Sequence, residues 1–226
     1  MKKLIILDFD DTLIDNTFLD FQSFKQTCIK LNAYIPKKIE ISTLRKKKFL
    51  AKQIIRWLLK KSKNKYSIKK FWKERVRFLE SRNSLKYISL RPYSKIFLKK
   101  LKKHKLIIVI ATLRKNKRTL ELFLEKENII PYIDTIFNLK DKTIEIRKLS
   151  NAIKIKQNMF HHIQSSYNFT PNEILSIGDS YADNQAAKIC KINHIILKTN
   201  TKLSKNLKNK IYSFQELIFK FDSIIT

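Results

Sequence analysis

The 226-residue chain contains one glycine, two cysteines and four prolines, and only 19 acidic residues against 49 lysines and arginines. Each scarcity excludes something. There is no Pro/Gly/Ser-rich linker, and no internal repeat. Cys28 and Cys190 lie far apart in apolar, helix-like surroundings. That spacing excludes a disulfide framework or a thiolate metal site and points to reduced core thiols in a cytoplasmic protein. No apolar run approaches the ~18 residues of a membrane span; LIIVIA, Leu106 to Ala111, is of strand length, so no membrane association is expected. The N-terminus, MKKLIILDFDD, starts basic, but Asp8 cuts its apolar run too short for a secretory leader.

What is abundant is positive charge. The formal net charge is +30, and lysine supplies most of it. The chain is also rich in Ile, Asn, Phe and Tyr, residues with A/T-rich codons, so genomic base composition accounts for part of the bias. Residues 15–90 hold 21 Lys and Arg against 5 Asp and Glu, a net of +16 in a third of the chain. Such a surface attracts phosphorylated ligands or nucleic acid, although no recognisable nucleic-acid module is present. Apolar residues make up 43%, enough for a sizeable core.

The hydrophobic pattern divides the chain. Lys3 to Phe9 is an apolar run of buried-strand type. From about Asp15 to Leu90 the spacing is helical: Phe18, Phe21, Phe24 and Cys28, then Ile54, Ile55, Leu58 and Leu59, then Phe71, Trp72, Val76 and Leu79 recur at short helical intervals. Beyond Pro92 helices and strands alternate. Helices are predicted over Ser94–His104, Lys115–Asn128, Lys156–Tyr167, Tyr181–Cys190 and Phe214–Phe221. Strands are predicted over Lys105–Thr112, Asp134–Phe137, Glu173–Ile177 and His194–Leu197. This alternation implies right-handed βαβ units and a parallel sheet covered on both faces. Functional side chains of such a sheet belong at the C-terminal ends of its strands.

Three strand ends carry unusual polar residues. The first, LDFDDTL, contains Asp8, Asp10 and Thr12. The second, IATLR, ends on Thr112, with Arg114 two residues on; this arginine is either a bidentate phosphate donor or a surface residue at a helix start. The third, SIGDSYAD, contains the one glycine, Gly178, followed by Asp179 and Asp183. A glycine there suits a tight strand-end turn or a close approach, and Asp179 or Ser180 could cap the helix that follows. Four carboxylates at one sheet edge repel unless a proton or cation separates them. A hard divalent ion with oxygen ligands, most simply Mg2+, removes that cost. His161 and His162 have no acid or cysteine at ligand spacing, and His104 and His194 are no more informative.

D-x-D-x-T after a first strand, Thr after a later one, a lysine, then G-D-x-x-x-D resembles the haloacid dehalogenase-like superfamily, over nearly the whole chain and in the family's order. The resemblance implies a Rossmann-like parallel sheet core, residues 1–14 and 91–226, with an inserted all-helical cap, residues 15–90. It implies that Asp8 is the nucleophile forming an aspartyl-phosphate and that Asp10 is the general acid and base. It implies that Thr112 hydrogen-bonds the phosphoryl group, and that Asp179 and Asp183 hold Mg2+ with the Asp8 carboxylate and the Asp10 carbonyl. Thr12 and Arg114 are carried as substrate-binding candidates. The family's lysine is Lys154 or Lys156, of which Lys156 better suits a helix start. Asp11 stands where the family often has glycine. The activity implied is a Mg2+-dependent phosphomonoester hydrolase acting on a small phosphorylated substrate. A phosphomutase uses the same acid pair, and a binding protein that holds or processes nucleic acid through a basic cap is the alternative from another class.

Overall fold

The computed structural model describes residues 1–47, 49–63, 66–139, 149–197 and 211–225. Along the chain run β1 (Leu4–Leu7), β2 (Ile14–Asp15), α1 (Thr17–Lys30), α2 (Lys38–Lys46), α3 (Ala51–Lys61), α4 (Ile68–Leu79), β3 (Ser89–Leu90), α5 (Ser94–Lys103), β4 (Ile107–Ala111) and α6 (Lys117–Lys126). There follow β5 (Thr135–Phe137), α7 (Leu149–Tyr167), β6 (Ile174–Gly178), α8 (Tyr181–Ile189), β7 (Asn193–Leu197), β8 (Ile211–Tyr212), α9 (Phe214–Phe219) and α10 (Phe221–Ile225). The chain forms two compact units, Met1–Asp15 with Leu90–Thr226, and Asn16–Ser89.

The larger unit is an α/β fold with a parallel sheet in the order β5-β4-β1-β6-β7-β8. Its central strands are apolar on both faces: Leu4, Ile5, Ile6 and Leu7 of β1 are all fully buried, as a sheet sandwiched between helices requires. The topology creates the site. From β1 the core runs outward through β4 and β5, then crosses back to β6 on β1's other side. Strand order therefore reverses at β1, and the crevice for a ligand opens at the C-terminal ends of β4, β1 and β6. Register sets those ends level, because Leu7 pairs with both Ile110 and Ile177.

The predicted elements appear, and the structure adds the short paired strands β2 and β3; three further differences stand out. α7 begins at Leu149, seven residues before the expected start. A sixth strand, β8, follows β7 where no further strand was expected; two residues are too few for a periodic signal. The C-terminal helix is two short ones, divided at Lys220.

The elements of the smaller unit are helical among its described residues, apart from Ser89 of β3. Phe21, Phe24, Cys28, Ile41, Ile54, Ile55, Leu58 and Phe71 form its core. Of the expected stripes, Phe18 stays 42% exposed and stacks edge-on against Tyr87 at 5.6 Å. On α4 the fully buried neighbour of Phe71 is Arg75. Its guanidinium lies over the Phe24 ring at 4.4 Å and donates to Asp20 at 2.6 Å, while Arg45 holds the same carboxylate at 2.7 Å. Burial disfavours the charge on Asp20, but the two arginines outweigh it and hold its pKa below the ordinary value. Both cysteines are buried free thiols, Cys28 pushed up to about 12 by burial and Cys190 to about 11.

Candidate active site

Three of the candidate side chains sit just past a strand end. Asp8 follows β1, Thr112 follows β4 and Asp179 follows β6. After Asp8 the chain turns back at once: Leu13 and Ile14 donate their amides to the Phe9 carbonyl at 3.0 and 3.1 Å. Asp11 takes φ 56° in this turn, a left-handed conformation that aspartate tolerates better than most residues.

Asp183 reaches the site from the first turn of α8. Ser180 caps that helix, accepting the Asp183 amide at 3.2 Å and donating its own hydroxyl to the Asp183 carboxylate. Gly178 has no positive φ. Its purpose is space: a Cβ there would lie 2.8 Å from Asp183 Cγ and 2.9 Å from Asp183 Cβ. The turn reading of this glycine is thereby corrected to a close-approach reading.

Carboxylate oxygens of Asp8, Asp179 and Asp183 all lie within 4.8 Å of one another. At such separations each like-charged pair repels by roughly 3–4 kcal/mol at an effective dielectric of about 20. Lys156 opposes part of this. Its side chain, 2% exposed, donates to Asp8 Oδ1 at 2.6 Å and to the Ala111 carbonyl at 2.7 Å, and pairs with Asp183 Oδ1 at 2.7 Å. Lys154 is exposed two residues away. Lys156 lies in the third turn of α7, not at its start; the extra turns lie on the N-terminal side, and a helix interior fixes the lysine as firmly as its first turn would.

One ammonium does not balance three carboxylates. Burial, opposed by Lys156 and reinforced by Asp183, pushes Asp8 up to about 7. Burial and the neighbouring acids Asp8, Asp11 and Asp183 push Asp179 up to about 8. For Asp183, burial pulls the same way, but Lys156 outweighs it and the net shift is downward. Lys156 is raised, since Asp183 and Asp8 together overcome its burial. The residues fit a divalent cation: the donors are hard oxygens, and the cluster falls short of neutrality by two positive charges.

The remaining candidates are placed as follows. Thr12 is fully buried, and its hydroxyl lies 3.3 Å from Asp8 Oδ2 and 3.2 Å from Asp179 Oδ1. In this geometry its hydroxyl lies against both acids. The Thr112 hydroxyl accepts the Arg114 amide at 3.2 Å, and a hydroxyl that accepts still has its own proton to give. The Asp10 side chain stands outside the carboxylate cluster. Arg114 is 8% exposed, which rules out the surface reading, and its guanidinium grips Asp10. Sequence reasoning passed over Ser180 as a brace for Asp183, and over His194. The latter is half-buried beside Ser176, Nδ1 to Oγ 3.1 Å, and desolvation lowers its pKa to about 4.

Sheet order and acid placement together define a doubly wound α/β protein with an acidic site at its switch point. The chain belongs to the haloacid dehalogenase-like hydrolases: the model of that family matches residues 5–197. Solved structures of similar fold include a predicted phosphoglycolate phosphatase from Haemophilus somnus, 18% identical with a TM-score of 0.71 and 98% of each chain covered. A subfamily IA hydrolase of the same superfamily from Geobacter sulfurreducens is 13% identical with a TM-score of 0.72, covering 100% of this chain and 97% of the other. CbbY from Rhodobacter sphaeroides, solved with phosphate, is 18% identical with a TM-score of 0.68 and 96% of each chain covered. No curated protein sequence matches the chain.

Proposed function

We propose that this hydrolase is a Mg2+-dependent phosphomonoester phosphatase that works through an aspartyl-phosphate on Asp8, with residues 15–90 as its substrate cap. The observation that carries the reading is the cluster Asp8, Asp179 and Asp183, wholly or partly withdrawn from solvent and offset, among the described residues, by Lys156. A fold gains nothing from burying such a cluster, because each uncompensated charge costs several kcal/mol. Function accounts for it.

Asp8, Asp179 and Asp183 would hold the ion, together with the Asp10 carbonyl. When bound, Mg2+ supplies positive charge that lets a carboxylate approach an anionic phosphate. The chain's own residues do the rest. Lys156 fixes one oxygen of Asp8 and Thr12 lies against the other. Asp8 attacks phosphorus, the bond to the leaving oxygen breaks, and that oxygen takes a proton from Asp10. Asp10 then accepts a proton from water, the hydroxide attacks phosphorus, and the acyl-phosphate bond to Asp8 breaks to release inorganic phosphate. Splitting the displacement in this way replaces one difficult step with two easier ones. The Thr112 hydroxyl donates to the phosphoryl oxygens as charge accumulates on them.

The test is hydrolysis of an aryl phosphate with Mg2+ and again after EDTA. Turnover should depend on the added metal, and Asp8→Asn should abolish it while leaving the protein folded. Undiminished activity in EDTA, or substantial activity in Asp8→Asn, would remove the basis for this mechanism.

A further inference from the structure

Arg114 and Asp10 form a contact that the reaction cannot leave intact. Arg114 Nε lies 3.1 and 3.0 Å from the two Asp10 carboxylate oxygens, and Nη2 lies 2.7 Å from Oδ1. Both oxygens of the group that must give and take a proton therefore accept from one guanidinium. The two partners are unequally held. The Arg114 side chain is 9% exposed, that of Asp10 35%. The Arg114 amide donates to Thr112 Oγ1 at 3.2 Å and its carbonyl accepts from Leu139 at 3.0 Å. The guanidinium lies over the Phe9 ring at 5.2 Å, and Phe9 is itself fully buried and packed edge-on against Phe123 at 5.7 Å. The fork is anchored, and Asp10 is the more open partner.

A guanidinium fork fits a carboxylate and a phosphoryl group equally well, and it serves one bidentate acceptor at a time. Thr112, two residues before Arg114 and bonded to its amide, is the hydroxyl assigned above to the phosphoryl group. We infer that Arg114 holds Asp10 as a carboxylate in the free enzyme and passes to the phosphoryl group on substrate binding, so that the released Asp10 takes up a proton from solvent and gives it to the leaving oxygen. This rests on the phosphatase reading. Exchange of one anion for another keeps a bidentate anionic acceptor on the buried guanidinium throughout. Substrate binding is thereby coupled to arming of the acid, and Asp10 stays disengaged when no phosphoryl group is present.

The experiment is a double-mutant cycle on binding of inorganic phosphate to the full-length protein with Mg2+, read by calorimetry, using wild type, Arg114→Gln, Asp10→Asn and the double variant. Arg114→Gln should weaken phosphate binding by about tenfold or more. Asp10→Asn should tighten it, because a neutral amide competes less for the fork than a carboxylate does, and that gain should shrink by about tenfold when Arg114 is absent, within the coupling seen for contacting groups. Direct repulsion between Asp10 and phosphate is present in both backgrounds and cancels. Arg114→Lys keeps the charge without the fork; it should fold like wild type and still bind phosphate weakly, which guards against misfolding of the glutamine variant. Additive effects, or a lysine variant that binds as wild type does, would overturn the exchange while leaving the phosphatase reading in place. A wild-type protein that neither binds phosphate nor hydrolyses an aryl phosphate would overturn both.

Discussion

Gly178→Ala isolates the reason for the chain's one glycine. Gly178 has no positive φ, so the backbone would accept alanine. At such a position the substitution ordinarily stabilises a protein by about 0.4–1 kcal/mol through the unfolded chain. Here the new methyl would stand 2.8 Å from Asp183 Cγ and 2.9 Å from its Oδ2. Comfortable carbon contacts begin near ~3.5 Å, so the Asp183 side chain would have to retreat by roughly 0.7 Å. It has little freedom to do so. Ser180 binds it from within its own helix turn, and Lys156 holds it at 2.7 Å while also tied to Asp8 and the Ala111 carbonyl. The variant should therefore lose about 1–3 kcal/mol, the usual cost of overpacking. Displacement of a proposed metal ligand by most of an ångström should slow aryl phosphate hydrolysis by about 10²-fold. The sign of the stability change is the discriminating quantity, and urea denaturation measures it. In an Asp183→Gly background the methyl's three nearest contacts are gone, so Gly178→Ala should become neutral or stabilising. The same loss in both backgrounds would place the cause in the backbone and refute the argument; a gain in the wild-type background would show that Asp183 has room to spare.

Two further outcomes follow from the charges. Lys156→Ala should cost far more rate and stability than Lys154→Ala, because only Lys156 is buried against Asp8 and Asp183; equal losses in paired kinetic and denaturation measurements would contradict its place in the site. Asp8 and Asp179 are pushed up to about 7 and about 8, so without metal they bind protons below those values, and a cation must displace them. The Mg2+ concentration for half-maximal activity should then rise steeply as pH falls from about 8 to 6, by up to about tenfold per unit for each proton released. The matching sign for stability is that a carboxyl raised on folding costs the folded state at any pH above its unfolded value. Asp179→Asn should accordingly stabilise the metal-free protein at neutral pH while abolishing metal-dependent turnover; a flat Mg2+ titration across that range, or a destabilised variant, would contradict the shifts.

The fold was legible where one-dimensional pattern and three-dimensional environment coincide. Strands apolar on both faces, such as Leu4–Leu7 and Ile107–Ala111, announce a buried parallel sheet, and polar residues directly after them mark its C-terminal edge. Asp8, Thr112, Asp179 and Asp183 could be picked out because acids are rare here and their neighbours are apolar. Lysine offered no such contrast. With 49 basic residues in the chain, nothing in the spacing alone marks Lys156, Arg114 or Arg75 as buried; each is singled out by a carboxylate far away in sequence. Arg75 lies 55 residues from Asp20, Arg114 lies 104 from Asp10 and Lys156 lies 148 from Asp8. β8 stayed hidden for another reason, being two residues long.

The same pairings alter what the large positive charge means. Most of it is spread over exposed lysines, where single ion pairs are worth little. The cations at the site are few and buried, and each has a defined anion. Lys156 stands between Asp8 and Asp183, and Arg114 meets Asp10. Setting those pairs aside, Asp179 and one further carboxylate charge remain in the cluster among the described residues. A chain with so many cations to spare leaves its sheet edge, over those residues, two charges short. That local deficit is the more informative quantity, because base composition can enrich lysine everywhere but does not place acids around one buried point.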